Sequence, residues 1–293
     1  MKPAPAGLDA AVATRPLLPG TRVLLGAFSS LTLLAFVALF ILAENTESTF
    51  AWTIQPPLTA AFLGSSYAAG TVLVLLSLRE WAWANVRIPF LTIFVFVVLT
   101  LVATLMHVNK MHFDDDFGGL DLLAKVAAWF WLAVYVVVPV AMLVLLVRQE
   151  RAPGDDPPAR HPVPTALRVP LAVESVALLV VGALLFIDPT TATTVWPWPL
   201  TPFTARVVAA WLLAFGLATA LAALMGDLHR LRTATIAYTV FGVLILVCVL
   251  RFAGTVTWDR PVAWLFVALD VAVILTGAAG WRAARTRVGR AVA

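Results

Sequence analysis

The chain has 293 residues, 61% of them hydrophobic and 12% charged, with a net charge of +4 and a mean hydropathy of +0.95. A soluble domain is nearer half apolar and a quarter charged, so this composition excludes one. The lone cysteine, Cys248, excludes a disulfide within the chain and a thiolate metal site.

Residues 1–21 are rich in Pro and Ala and read as a disordered cytoplasmic tail. Eight apolar runs follow, at 23–43, 58–78, 88–107, 126–147, 169–187, 203–224, 233–252 and 261–281. Each is about long enough to cross ~30 Å of hydrocarbon as a helix. Strand-like alternation is absent, which excludes a β-barrel. The expected fold is therefore all-α, a polytopic membrane protein with eight transmembrane helices. The first run is longer than a signal-peptide core and lacks a small-x-small cleavage site, so it reads as a retained span. With the N-terminus inside, 15 of the 20 basic residues fall on the cytoplasmic side. Only Lys110, Lys125, Arg206, Arg251 and Arg260 fall outside. The positive-inside rule then predicts both termini in the cytoplasm, here of a bacterial plasma membrane. The positive excess is accounted for by topology, with no nucleic-acid partner.

A tryptophan–proline loop occurs twice, as ENTESTFAWTIQPPLT (44–59) and DPTTATTVWPWPLT (188–201). In each, an acid closes an apolar run, a tryptophan follows eight residues on, and Pro-Leu-Thr opens the next run. Ala128-Trp129-Phe130-Trp131 and Ala263-Trp264-Leu265-Phe266 open the fourth and eighth runs alike. The linker around 149–168 is polar and Pro-rich and divides the chain into halves of four spans each. The expected organisation is a first repeat at 22–148, the linker, a second repeat at 169–281 and a basic cytoplasmic tail at 282–293. Four spans is an even number, so the repeats are expected to be parallel, related by an axis along the membrane normal. The tail RAARTRVGR reads first as a stop-transfer flank, and as a second reading suits anionic lipid.

FAWTIQPPLTAAFLG (50–64), with its partner WPWPLTPFTAR (196–206), resembles uncharacterised multi-pass membrane proteins of high-GC actinobacterial type. The resemblance covers most of the chain and implies no activity and no catalytic residue.

Ionisable groups inside spans are costly in lipid and usually face a partner or a cavity. Asp270 lies halfway along the eighth run, with Arg206 and Arg251 as candidate partners, and Glu174 lies one or two turns into the fifth. Neither acid has an evident counterpart in the first half. A second cluster, His107, His112 and Asp114, carries metal-ligand chemistry, but its i, i+5 histidine spacing does not place both rings on one helix face. Trp52, Trp196 and Trp198, with Trp129, Trp131 and Trp264, read first as an interfacial aromatic belt. The prolines beside the first three allow a second reading, in which two extended loops cap a vestibule between the halves. GxSxG, Walker, HExxH, CxxC and GxGxxG motifs are all missing, and no cofactor is implied. Three functions stay open. One is a small-molecule, lipid or ion site between the repeats built on Asp270, Arg251 and Arg206. The second is an outer-face enzyme or metal site on His107, His112 and Asp114. The third is a non-catalytic scaffold.

Overall fold

A computed structural model describes residues 14–113 and 121–290. Among these the protein is all-helical, with no strand and eight helices long and apolar enough to cross a membrane. They are α1 (Pro19–Ile41), α2 (Pro57–Ser77), α3 (Trp83–Met106), α4 (Leu122–Glu150), α5 (Thr165–Ile187), α6 (Pro202–Met225), α7 (Leu228–Arg251) and α8 (Pro261–Arg290). All eight expected spans are present. Most begin a few residues early, because the apolar run measures the hydrocarbon and the helix continues into its polar flanks.

The inner helices are α2, α3, α6 and α7, and the outer helices α1, α4, α5 and α8 present more of their surface. Neighbours in sequence pair as α1 on α2, α3 on α4, α5 on α6 and α7 on α8. Across the midline α2 packs on α7, and α3 packs on α6. The outer surface is apolar: Val137 and Val140 of α4 and Val173 and Val176 of α5 are exposed. Lipid replaces water there, so helix association rests on close fit and small residues.

Two small-residue stretches provide that fit. At Gly64 a Cβ would lie 2.5 Å from the backbone nitrogen of Phe40 and 2.8 Å from its Cα. At Gly277 a Cβ would lie 2.9 Å from the backbone nitrogen of Thr239. Gly64 meets α1 where the helix widens into a π turn over Val37–Ile41, closed by a 3.1 Å bond from Leu42 N to Val37 O.

The face that carries both chain ends and the linker is more ordered than expected. Of the tail expected over residues 1–21, residues 1–13 lie outside the described residues, and from Thr14 onward the chain is docked. Arg15 N bonds Asp155 O at 3.0 Å, Leu17 N bonds Trp81 O at 2.8 Å, and α1 begins at Pro19. Buried Gln149 holds this segment, accepting from Leu18 N and Thr21 Oγ1 and donating to Pro16 O. Glu150 receives Arg15, Arg87 and Trp83 Nε1, and Arg87 also reaches Asp156. The linker is tied to the second half by Asp227, whose carboxylate accepts from His161 N, and by Leu228 N bonding His161 O. The basic segment from Arg282 is likewise no separate tail, since α8 continues through Arg290. Its alanines and arginines are good helix formers.

Gly64→Ala should force α1 and α2 apart, because the atoms it meets are backbone. We expect a loss of about 1–3 kcal/mol of stability, read as a lowered unfolding temperature in detergent.

Candidate functional site

The tryptophan loops fold inward. Each leaves its helix through a 3-10 turn (Ala43–Asn45, Pro189–Thr191) and a short helix (Thr46–Thr49, Ala192–Val195). Trp52, Trp196 and Trp198 are then buried, at 2%, 3% and 2% exposure. This overturns the belt reading for these three and for buried Trp131, while Trp129 and Trp264 stay exposed. The physical reason is aromatic packing across the halves. Trp52 lies 4.6 Å from Phe203 at the start of α6 and 5.0 Å from Trp131 of α4. Trp196 and Trp198 lie 5.4 and 6.0 Å from Phe62 of α2, and Trp198 Nε1 donates to Thr59 Oγ1 at 3.0 Å. A neighbouring loop latches each: His112 N bonds Ala51 O at 2.9 Å, and Thr257 N bonds Pro197 O at 2.9 Å.

His112 is part of that latch. Its Nδ1 meets Phe50 O at 2.9 Å and its Nε2 meets Thr53 Oγ1 at 3.1 Å. His107 faces elsewhere: its ring stacks on Phe203 and its Nε2 accepts from Arg206 Nη1 at 2.8 Å. The two histidines therefore have different partners, and Asp114 lies outside the described residues. No metal-binding group of three His, Cys, Asp or Glu occurs among the described residues.

The arginines do not join Asp270. Arg206 Nε donates to Phe186 O at the end of α5, at 3.0 Å. Arg251 Nη1 donates to Phe40 O in the π turn at 2.7 Å, and its Nη2 lies 3.6 Å from Glu44. Each arginine thus satisfies a carbonyl near the end of an outer helix. Asp270 is 4% exposed, and its Oδ2 has no hydrogen-bond partner among the described residues. Glu174 is 2% exposed, and accepts from Tyr238 at 3.1 Å and Thr276 at 2.7 Å. The polar core expected from Asp270, Arg251 and Arg206 does not assemble.

A cavity of about 500 Å3 takes its place, with all eight helices in its wall. One end lies between α1 and α4, where Leu34, Leu123, Val126 and Phe130 line it and are exposed, so it opens sideways. The other end lies among α6, α7 and α8, lined by Thr219, Thr235, Tyr238 and Thr276. The chain has three tyrosines, Tyr67, Tyr135 and Tyr238, and all three are in this wall. Tyr67 and Tyr135 share a 2.7 Å hydroxyl contact. Beside them Trp211 stacks on Phe96 at 3.8 Å. Sequence reasoning passed over these residues. Their signal was position, because Tyr67 and Tyr135 fall near the middle of an apolar run and Tyr238 more than a turn inside one, rather than at the interface. Neither Asp270 nor Glu174 lines the cavity, but Tyr238 and Thr276, the two residues bound to Glu174, do.

No family profile, no curated protein and no solved structure matches the chain.

Burial lowers the pKa of both loop histidines. For His107 the charges of Arg206 and Lys110 lower it further, while for His112 the bond to Phe50 and the charge of Glu47 oppose the shift. The unfolded chain, with histidine near 6.5, then binds protons more readily than the folded one. Stability should be fully present above about pH 6.5 and decline as pH falls through that value toward the folded pKa values. The double variant His107→Gln/His112→Gln should flatten this decline in thermal unfolding measured across the range.

Proposed function

We propose that this multi-pass membrane protein binds an elongated apolar molecule drawn from the bilayer. The observation that carries the reading is the cavity between α1 and α4 at one end and α6–α8 at the other. Its volume falls in the ~300–1,000 Å3 range of small-molecule sites. Its walls are apolar, and its open side faces the lipid-exposed surface of α1 and α4. An ion site centred on Asp270 has less support, since no arginine reaches that residue and it does not line the cavity.

On this reading the site sits between two parallel repeats. The reciprocal packing of α2 on α7 and of α6 on α3 supports a two-fold axis along the membrane normal. Spacing from Ala128 and Ala263 makes Trp131 the counterpart of Phe266 and Tyr135 that of Asp270. Trp131 packs on the tryptophan of the first loop, and Phe266 packs on those of the second. The charge distribution supports cytoplasmic termini in a bacterial plasma membrane. There the exposed Arg282 and Arg285 suit anionic headgroups, at about 1 kcal/mol per charge.

Gly70 lines the cavity, and a Cβ there would make only ordinary contacts, 3.7 Å from Thr32 and 3.9 Å from Trp211. Gly70→Ala should therefore fold and bind normally, and Gly70→Leu should fill the space. In phosphatidylcholine nanodiscs, oleyl alcohol should raise the unfolding temperature of wild type and Gly70→Ala and leave Gly70→Leu unchanged. Equal stabilisation of all three sinks the reading. Sidedness has its own test with a membrane-impermeant maleimide, against which buried Cys248 should stay silent. Asp259→Cys should label in intact cells, and Arg160→Cys only after permeabilisation.

A further inference from the structure

The hydroxyls around the cavity do not all behave alike. Thr92 donates to Ile88 O, Thr219 to Phe215 O and Thr235 to Arg232 O, so each turns back on its own helix. Tyr67 and Tyr135 engage each other. Only Tyr238 and Thr276 lead outward to a carboxylate, that of Glu174. Glu174 is buried on α5, and among the described residues no lysine or arginine pairs with it. A carboxylate at membrane depth without a countercharge is costly and calls for a partner.

The direction of the hydrogen bonds decides what that partner is. Tyr238 and Thr276 each direct a hydroxyl proton to Glu174. A hydroxyl has one proton, so each oxygen has only acceptor capacity left for a molecule in the cavity. This end of the site therefore offers acceptors backed by an acid. Aromatic faces lie beside it: Phe215 is 6.4 Å from Tyr238 and 5.5 Å from Trp211 by ring centroids. Such faces attract cations. The opposite end, at Leu34, Val126 and Phe130, is mainly hydrocarbon, and the hydroxyl of Thr49 there is turned back on Asn45 O.

We propose that the ligand is a protonated amine carrying an apolar chain. Its ammonium donates to Tyr238 and Thr276 with Glu174 as countercharge, and its chain runs toward the opening between α1 and α4. This rests on the apolar-ligand reading above and narrows it to one head group.

The test compares two ligands with the same chain, oleylammonium and oleyl alcohol, by thermal unfolding in phosphatidylcholine nanodiscs. Wild type should be stabilised by the amine at about tenfold lower concentration than by the alcohol, the weight of a charge-assisted hydrogen bond. Glu174→Gln should erase that preference and keep the response to the alcohol. Tyr238→Phe and Thr276→Val, which leave the carboxylate in place, should each reduce the preference, and they serve if Glu174→Gln does not unfold cooperatively. Equal potency of the two ligands on wild type, or a preference that survives all three variants, overturns the amine assignment and leaves the cavity reading standing. Failure of both ligands to stabilise wild type overturns the cavity reading, and the amine assignment with it.

Discussion

Hydrocarbon holds no water to satisfy a backbone group that a helix releases, and the loop face of this protein is organised around that constraint. Two of the places where the chain leaves a helix there are met by an arginine. Arg251 takes the carbonyl of Phe40 in the π turn, and Arg206 takes that of Phe186. Thr46 both accepts from Ile54 N and donates to Ile54 O, closing the first loop on itself. His112 and Thr257 pin the two tryptophan loops through Ala51 O and Pro197 O. Arg206, Arg251 and His112, which invite a functional reading, are thus occupied in holding backbone. That leaves two buried acids with unmet electrostatic demand, Asp270 with its unpartnered Oδ2 and Glu174 with two hydroxyl partners among the described residues, and the partners of Glu174 line the cavity.

The same constraint separates what was legible in the residues from what was not. The eight helices were plain, because a long apolar run has one stable solution in lipid. The inward turn of Trp52, Trp196 and Trp198 was not. A tryptophan beside a helix end has the same local pattern whether it faces headgroups or a core. What decides is a ring far away in sequence: Phe203 for Trp52, and Phe62 for Trp196 and Trp198. The arginines misled for a related reason. Their acceptors are main-chain carbonyls, which leave no mark in the sequence, whereas Asp270 stood out as a partner. The docked segment from Thr14 was hidden because it depends on Gln149, 128 residues beyond Thr21. The cavity belongs to no residue type at all, although three tyrosines inside apolar runs pointed toward it.

Polarity is unevenly divided between the halves around that cavity. The wall from α1 and α4 is mainly hydrocarbon, while α5, α7 and α8 contribute the buried acid and its hydroxyl partners. Tyr135 of α4 is part of a neutral hydroxyl pair with Tyr67, while α8 carries the acid Asp270. The site is thereby directional, with a polar end and an apolar end fixed by different helices.

The burial of α2 bears on how the chain is made. It is the least apolar and the most buried of the eight helices, and it lies against α1 on one side and α7 on the other. Ser77 and Leu228 are 151 positions apart, so on the order of ten seconds of synthesis separates the exit of α2 from the arrival of its second neighbour. During that interval one flank of α2 faces lipid or the insertion machinery. Its serines are suited to the delay: Ser65 bonds Ala61 O and Ser66 bonds Phe62 O within the same helix. The nascent helix thus carries the hydroxyls of Ser65, Ser66 and Thr71 already satisfied while its final neighbour is still being translated.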